Sequence, residues 1–189
     1  MCVLFGACLL LVNTFILCNN LSFGQKATQR TTTNSIGEKL NKNFVIGFDP
    51  FDHERKYTLS DFKGKAIILD IWATWCSACI GRFPAMDSLS RVYGENLEIL
   101  LVAAIGRDTP ETVRTFVEEY RQANPDFSLT FLIEDVKYST TYSFRSLPHY
   151  IWIDPNRRIR AHTNPQAFED NHLLRLISGR SVHVPIKLN

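Results

Sequence analysis

Residues 67–86 read IILDIWATWCSACIGRFPAM, and this stretch limits the possible folds more than any other part of the chain. An apolar, β-branched run interrupted only by Asp70 leads to two tryptophans and a Cys-X-X-Cys at Cys76 and Cys79, after which the residues favour helix. A run of this kind is a strand buried on both faces, in a sheet that helices cover. Such a strand delivers Cys76 to the first turn of a helix, where unpaired backbone N–H groups and the helix dipole favour a thiolate. Cys79 follows three residues later on the same helical face, so the two sulfurs can meet. The helix is expected to continue to about Tyr93, with a kink at Pro84 and an end at Gly94.

The remaining pattern alternates strands with helices. Residues 44–48 and 56–59 read as two short strands around an Asp49-Pro50 turn. Residues 97–105, LEILLVAAI, form a second run of strand length and uniform apolarity. Thr109, Pro110 and Glu111 supply an N-cap, a first-turn proline and a first-turn acid for a helix to about Ala123. Val113, Phe116, Val117 and Tyr120 give that helix one face to bury. A third core strand follows at 128–133 and a shorter helical segment at 134–144. A hairpin of strands 150–153 and 158–162 then turns at Asp154-Pro155-Asn156, with Arg157, Arg158 and Arg160 decorating its exposed side. A last helix, 168–177, ends at Gly179. The expected fold class is therefore α/β, a central mixed β-sheet flanked by helices with an N-terminal β-hairpin extension.

The 21 basic and 19 acidic residues leave a net charge of +2, and no basic block interleaves with aromatics, which argues against a nucleic-acid partner. Residues 1–24 carry no charge, and 3–17 are apolar apart from Gly6, Asn13 and Thr14. That run has the length of a signal-peptide core and falls short of the ~20 residues of a full membrane span. Ser22-Phe23-Gly24 places cleavage before Gln25, while the lack of Lys or Arg ahead of Lys26 leaves an uncleaved anchor as the other reading. Residues 25–43, rich in Thr, Asn, Gln and Lys, read as a flexible tether, 44–179 as the folded domain and 180–189 as a C-terminal tail. In that tail Val182, Val184 and Ile186 alternate, as a loose end or as the opening strand of a further segment. Cys2, Cys8 and Cys18 all lie in the first segment, so without it the chain holds only Cys76 and Cys79, either a redox pair or half of a metal site.

Four features carry a family resemblance: LSDFKGK at 59–65, WATWCSAC at 72–79, Pro84 five residues after the second cysteine, and Leu147-Pro148 before a strand ending in Ile-Asp-Pro-Asn. In this order they make residues 36–177 similar to the thioredoxin superfamily, and in particular to its TlpA/ResA-like exported thiol-disulfide oxidoreductases. The resemblance implies a thioredoxin-like fold, a redox pair at a helix start and a cis-proline, here Pro148, facing it. It also implies that the backbone of Leu147 pairs with an extended substrate peptide. Trp75 is expected to cap the active-site surface, in an architectural or a substrate-facing role. Asp70, six residues before Cys76, matches the buried acid of thioredoxins. Three departures stand out. Ser77-Ala78 replaces the usual Gly-Pro or Glu-Pro, Arg82 stands where an acid is common, and His149 replaces a threonine.

Cys76, at the helix end, is expected to attack a disulfide and Cys79 to resolve the mixed disulfide. Asp70, surrounded by Ile67, Ile68, Leu69, Ile71 and Trp72, would lose several kcal/mol as a buried, unpaired charge, so its pKa is expected to rise and suit a base for the Cys79 proton. Trp72 is expected to pack beneath the sheet edge. Arg82 reads as a solvated helix charge or, nearer the sulfurs, as a charge that lowers the thiol pKa. His149 reads as a solvent-facing rim residue or as a stabiliser of the Cys76 thiolate. No cofactor beyond the Cys76–Cys79 dithiol is expected, and no second C-x-x-C or paired histidines supply a zinc site. The alternatives are a copper carrier that adds a histidine such as His149 to the two thiolates, and a disulfide-forming oxidant. A peroxidase would need a proline and threonine pattern upstream of one cysteine, which Cys76 lacks. The expected partners are protein disulfides or dithiols and a membrane-bound electron donor, for a monomer in the periplasm or cell envelope.

Overall fold

A computed structural model describes residues 36–134 and 146–184. The apolar leader, the first part of the tether, the helical segment expected after Glu134 and the last five residues lie outside the described residues.

Among the described residues one sheet orders its strands β2-β1-β5-β4-β3-β6-β7. These are β1 (Val45–Phe48), β2 (Lys56–Thr58), β3 (Ala66–Trp72), β4 (Leu97–Ala103), β5 (Thr130–Ile133), β6 (His149–Ile153) and β7 (Ile159–Thr163). Helices α1 (Ser77–Ile80), α2 (Phe83–Tyr93), α3 (Pro110–Ala123) and α4 (Asp170–Ile177) complete the fold. The uniform apolarity of β3 and β4 has its physical reason here. All seven residues of β3 are buried, because β3 runs parallel to β4 on one side and antiparallel to β6 on the other. Alternation along the strands splits the core in two. Ile68, Trp72, Tyr150 and Trp152 meet Phe83, Phe131 and Leu176 on one face, and Leu69, Ile71, Ile151 and Ile153 meet Leu40 and Leu59 on the other. Each such side chain contributes about 1.5–3 kcal/mol by leaving water.

Three expectations are corrected. Trp72 lies under no sheet edge: β3 is an inner strand, and the indole packs against Phe116, Phe83 and Phe131 with ring centroids 5.0, 5.3 and 5.6 Å away. The helix after the cysteines is two helices, α1 and α2, separated at Gly81 and Arg82. Pro84 falls in the first turn of α2, where its missing N–H costs nothing; inside one continuous helix its ring would meet the carbonyl of Ile80. The hairpin arginines are ties rather than decoration. Arg157 and Arg158 donate to the carbonyls of Leu40 and Gly37 at 3.3 and 3.1 Å, and Arg160 pairs with Asp154 at 2.6 Å and reaches the Gly179 carbonyl at 2.8 Å.

Those ties also explain where order begins. The residues just before Asn43 lie along the outer side of β7: Gly37 N–H donates to the Ile159 carbonyl at 2.7 Å, Ile159 N–H to Glu38 at 3.0 Å, and Leu40 is buried. An edge strand thereby gains partners for its unpaired backbone groups. At the other end Val182 and Val184 pack against the core. On the far side of the sheet Gly47 marks a close approach, since a Cβ there would stand 2.6 Å from the carbonyl oxygen of Ile133.

Candidate active site

The end of β3 and the start of α1 are joined by a tight connection, residues 73–76. Cys76 N–H donates to the Ala73 carbonyl at 2.9 Å, and Cys76 serves as the N-cap of α1. The Cys79 N–H lies 3.3 Å from the Cys76 sulfur, and the two cysteines are joined as a disulfide with Cα atoms 5.3 Å apart. Cys76 is 7% exposed and Cys79 0%, so the first sulfur is the one an incoming thiol or disulfide reaches. Trp75 next to it is half exposed, and the Arg107 guanidinium lies 4.9 Å from its ring centroid.

The connection is clamped from the loop after β4. Both carboxylate oxygens of Asp108 accept from Thr74, one from its backbone N–H and one from its hydroxyl, each at 2.7 Å. The motif at 72–79 did not reveal Asp108. The signal it left is an acid directly ahead of the Thr109 N-cap that the α3 cap itself does not use.

Asp70 points to the same face of β3 as Ile68 and Trp72, the face on which Cys79 and α2 pack. It is fully buried, and neither carboxylate oxygen has a hydrogen-bond partner among the described residues. Burial pushes its carboxyl well above the usual carboxylate range, and the Arg82 guanidinium pulls the other way. Arg82 is therefore no freely solvated helix charge. It sits at the break between α1 and α2 with its Nε shielded from water and its Cζ 5.8 Å from the ring centroid of Phe168.

Tyr150, unremarked in the sequence, stands opposite Asp70 across the β3–β6 pair. Burial and then the Asp70 charge push its hydroxyl up, while Arg82 pulls it down. The hydroxyl faces the Arg82 side chain at less than full hydrogen-bond geometry.

His149 is 1% exposed, which removes the solvent-facing rim residue expected from the sequence. It pairs with Ile71, so strand alternation turns its ring to the face away from Asp70 and Tyr150, where Nε2 lies 3.1 Å from Nδ1 of His162. The copper alternative had drawn on this ring, and it is engaged with His162 inside the opposite core layer. The Leu147–Pro148 peptide bond is cis. The pairing of Ile71 with His149 sets Pro148 at the end of the sheet where β3 closes with Trp72, four residues before Cys76. Leu147 is half-buried and packs against both core layers.

Comparison with known proteins extends this picture. The sequence pattern of the AhpC/TSA family matches residues 37–162, a span that includes Asp70, both cysteines, Arg82 and Pro148. Among curated relatives, the thioredoxin-like protein YneN of Bacillus subtilis is 33% identical over 94 residues, covering 49% of this chain and 52% of that protein. The thiol-disulfide oxidoreductase ResA of Bacillus cereus is 30% identical over 105 residues, covering 56% of this chain and 58% of that protein. The chain thus spans little more than half the length of these relatives. Among solved structures, the exposed lipoprotein thioredoxin Etrx1 of Streptococcus pneumoniae superposes with a TM-score of 0.56 at 25% identity, covering 71% of this chain and 98% of that one. The thioredoxin domain of a thiol-disulfide oxidoreductase from Bacteroides vulgatus gives a TM-score of 0.54 at 20% identity, covering 78% and 96%. With a thioredoxin-like fold and a family match over more than half of its length, the chain belongs to the AhpC/TSA family.

Proposed function

We propose that this protein is an exported thiol-disulfide oxidoreductase that reduces selected protein disulfides through Cys76 and Cys79. The observation that carries the reading is the pair itself: two cysteines bonded at a helix start, one reaching solvent with 7% of its surface and one fully buried. In the reduced protein the Cys76 thiolate attacks a substrate disulfide, forming a mixed disulfide and releasing the first substrate thiolate. Cys79 then gives up its proton to the Asp70 carboxylate and attacks the Cys76 sulfur. The bond from Cys76 to the substrate breaks, its electron pair leaves on the second substrate sulfur, and the Cys76–Cys79 disulfide forms. Two electrons pass from the dithiol to the substrate disulfide, and a membrane-bound donor of dithiol electrons restores the pair.

Trp75, Leu147 and Pro148 are the substrate-facing surface in this reading. The Leu147 backbone offers an extended peptide groups to pair with just ahead of β6, and Trp75 offers exposed apolar area next to Cys76. The uncharged start of the chain supports export, and the relative described as an exposed lipoprotein is consistent with a site outside the cytoplasm.

The reduction potential of the pair tests the direction. Equilibration against a dithiol buffer, read by alkylation of free thiols, is expected to give a value nearer that of thioredoxin, about −270 mV, than that of a strong oxidant, about −120 mV. A value at the oxidising end makes the protein a disulfide former. Full exchange activity in Cys76→Ser would remove the mechanism in either direction.

A further inference from the structure

We propose that Arg82, packed beside Tyr150, is a positioning residue for the Asp70 carboxyl that sets how readily it takes the Cys79 proton. The proposal rests on the reading of Asp70 as the base for Cys79 and adds the group that sets when that base works.

The register of the sheet brings them together. Asp70 stands opposite Tyr150, and Tyr150 opposite Thr163, so one row of three fully buried polar side chains crosses β3, β6 and β7 on the cysteine face. Arg82 enters this row from the break between the two helices, and Phe168 underlies it. The Phe168 ring lies 4.7 Å from Tyr150 and 5.8 Å from the Arg82 Cζ. Both Asp70 oxygens, Arg82 Nε, the Tyr150 hydroxyl and Thr163 Oγ1 are sealed from solvent, with no hydrogen-bond partner among the described residues. These five atoms lie on the face of the sheet where Cys79 packs, and a buried titratable group so placed is a candidate for handling the cysteine's proton.

The surroundings narrow the electrostatics. On β4 the neighbour of Asp70 is Leu101, and α2 contributes Phe83 and Met86. The other buried acid of α2, Asp87, is taken up by Ser128 and by an ion pair with Arg91. His149 faces the other side of the sheet. Among the described residues, Arg82 is the charge that acts on Asp70, and Tyr150 is its titratable neighbour besides the cysteines.

A carboxyl buried without a charge partner stays protonated and cannot accept a proton, whereas one in a direct ion pair is too weak a base to take one from a thiol. Arg82 stands between these limits: near enough to favour the carboxylate, yet with no hydrogen bond to it. In the resolving step the Cys79 proton moves to Asp70, directly or through a water, as the Cys79 sulfur bonds to Cys76 and the substrate sulfur leaves with the electron pair. The proton is then lost from Asp70 to solvent.

The test uses the full chain carrying Cys2→Ser, Cys8→Ser and Cys18→Ser, reduced and mixed with 5,5′-dithiobis(2-nitrobenzoate) in a stopped-flow instrument. The first release of the coloured thiolate reports attack by Cys76 and the second reports resolution by Cys79. The second rate is expected to rise with pH through a limb that Asp70→Asn removes. Arg82→Met is expected to move the midpoint of that limb upward, and Arg82→Lys to hold it near the parent value. Each pH unit of displacement corresponds to about tenfold slower resolution below the midpoint. A midpoint in Arg82→Met that coincides with the parent, with the limb still lost in Asp70→Asn, would overturn the positioning role of Arg82 while leaving Asp70 as base. A limb that survives Asp70→Asn would overturn the base reading itself. A ¹³C titration of the Asp70 carboxyl must show the same upward displacement in Arg82→Met, and an unmoved titration would also refute the proposal.

Discussion

Replacing Asp108 with alanine removes both anchors of the connection that presents Cys76. Asp108 is 6% exposed and accepts two hydrogen bonds from Thr74, each at 2.7 Å. Hydrogen bonds to charged groups contribute about 1.5–3 kcal/mol each, so the pair is worth roughly 3–6 kcal/mol before solvent responds. Thr74 is half-buried, and water admitted to the truncated site restores part of this. The expected net loss is about 2–3 kcal/mol, seen in urea unfolding at pH 7 as a lower midpoint with an unchanged slope. Asp108→Asn keeps one acceptor for the backbone N–H and turns an amide donor toward the hydroxyl, so it should lose less than about 1 kcal/mol. In a cycle with Thr74→Ala the two changes should couple by about 1–2 kcal/mol. Because Thr74 lies two residues before Cys76, Asp108→Ala should also slow attack by Cys76 even where the protein is fully folded. An alanine variant with the parent midpoint and the parent rate would refute the clamp.

Two further outcomes follow from the same structure. The pKa of Asp70 is raised by folding, so between the ordinary carboxylate value and the folded one the native state binds the extra proton and stability falls as pH rises, by up to ~1.4 kcal/mol per pH unit. Asp70→Asn should therefore be more stable than the parent at pH 7 and equal to it near pH 3; urea midpoints that differ equally at both pH values would contradict the burial of the carboxylate. Gly47→Ala should cost about 1–3 kcal/mol, because its Cβ would stand 2.6 Å from the Ile133 carbonyl oxygen and force β1 away from β5; an unchanged thermal midpoint would show that the two strands give way freely.

Much of this molecule is legible in residues 67–86 because burial on both faces leaves a strand no polar alternative, and Asp70 stands out against that background. The β3 bounds coincide with the apolar run for this reason. Arg82 and His149 show what a local pattern misses. Whether a charge at the foot of a helix is solvated depends on the helix stopping there, and α1 stops because of Pro84 five residues beyond Cys79. The burial of His149 depends on a partner thirteen residues away, His162, which only the β6–β7 register brings to it. Tyr150 was invisible as a neighbour of Asp70 for the same cause: it lies in an apolar strand of ordinary composition, and its role comes from pairing across the sheet. The residues at 37–40 look like tether because the stretch around them is largely polar, yet their backbone groups are what the β7 edge uses.

The central claim, that Cys76 attacks and Cys79 resolves, is tested most directly by trapping the intermediate. Cys79→Ser in the full chain, reduced and mixed with a disulfide-bonded protein such as insulin, is expected to accumulate a mixed disulfide that peptide mass spectrometry places on Cys76. No adduct at Cys76 in that variant, or a stable adduct on Cys79 in Cys76→Ser formed at the same rate, would contradict the account.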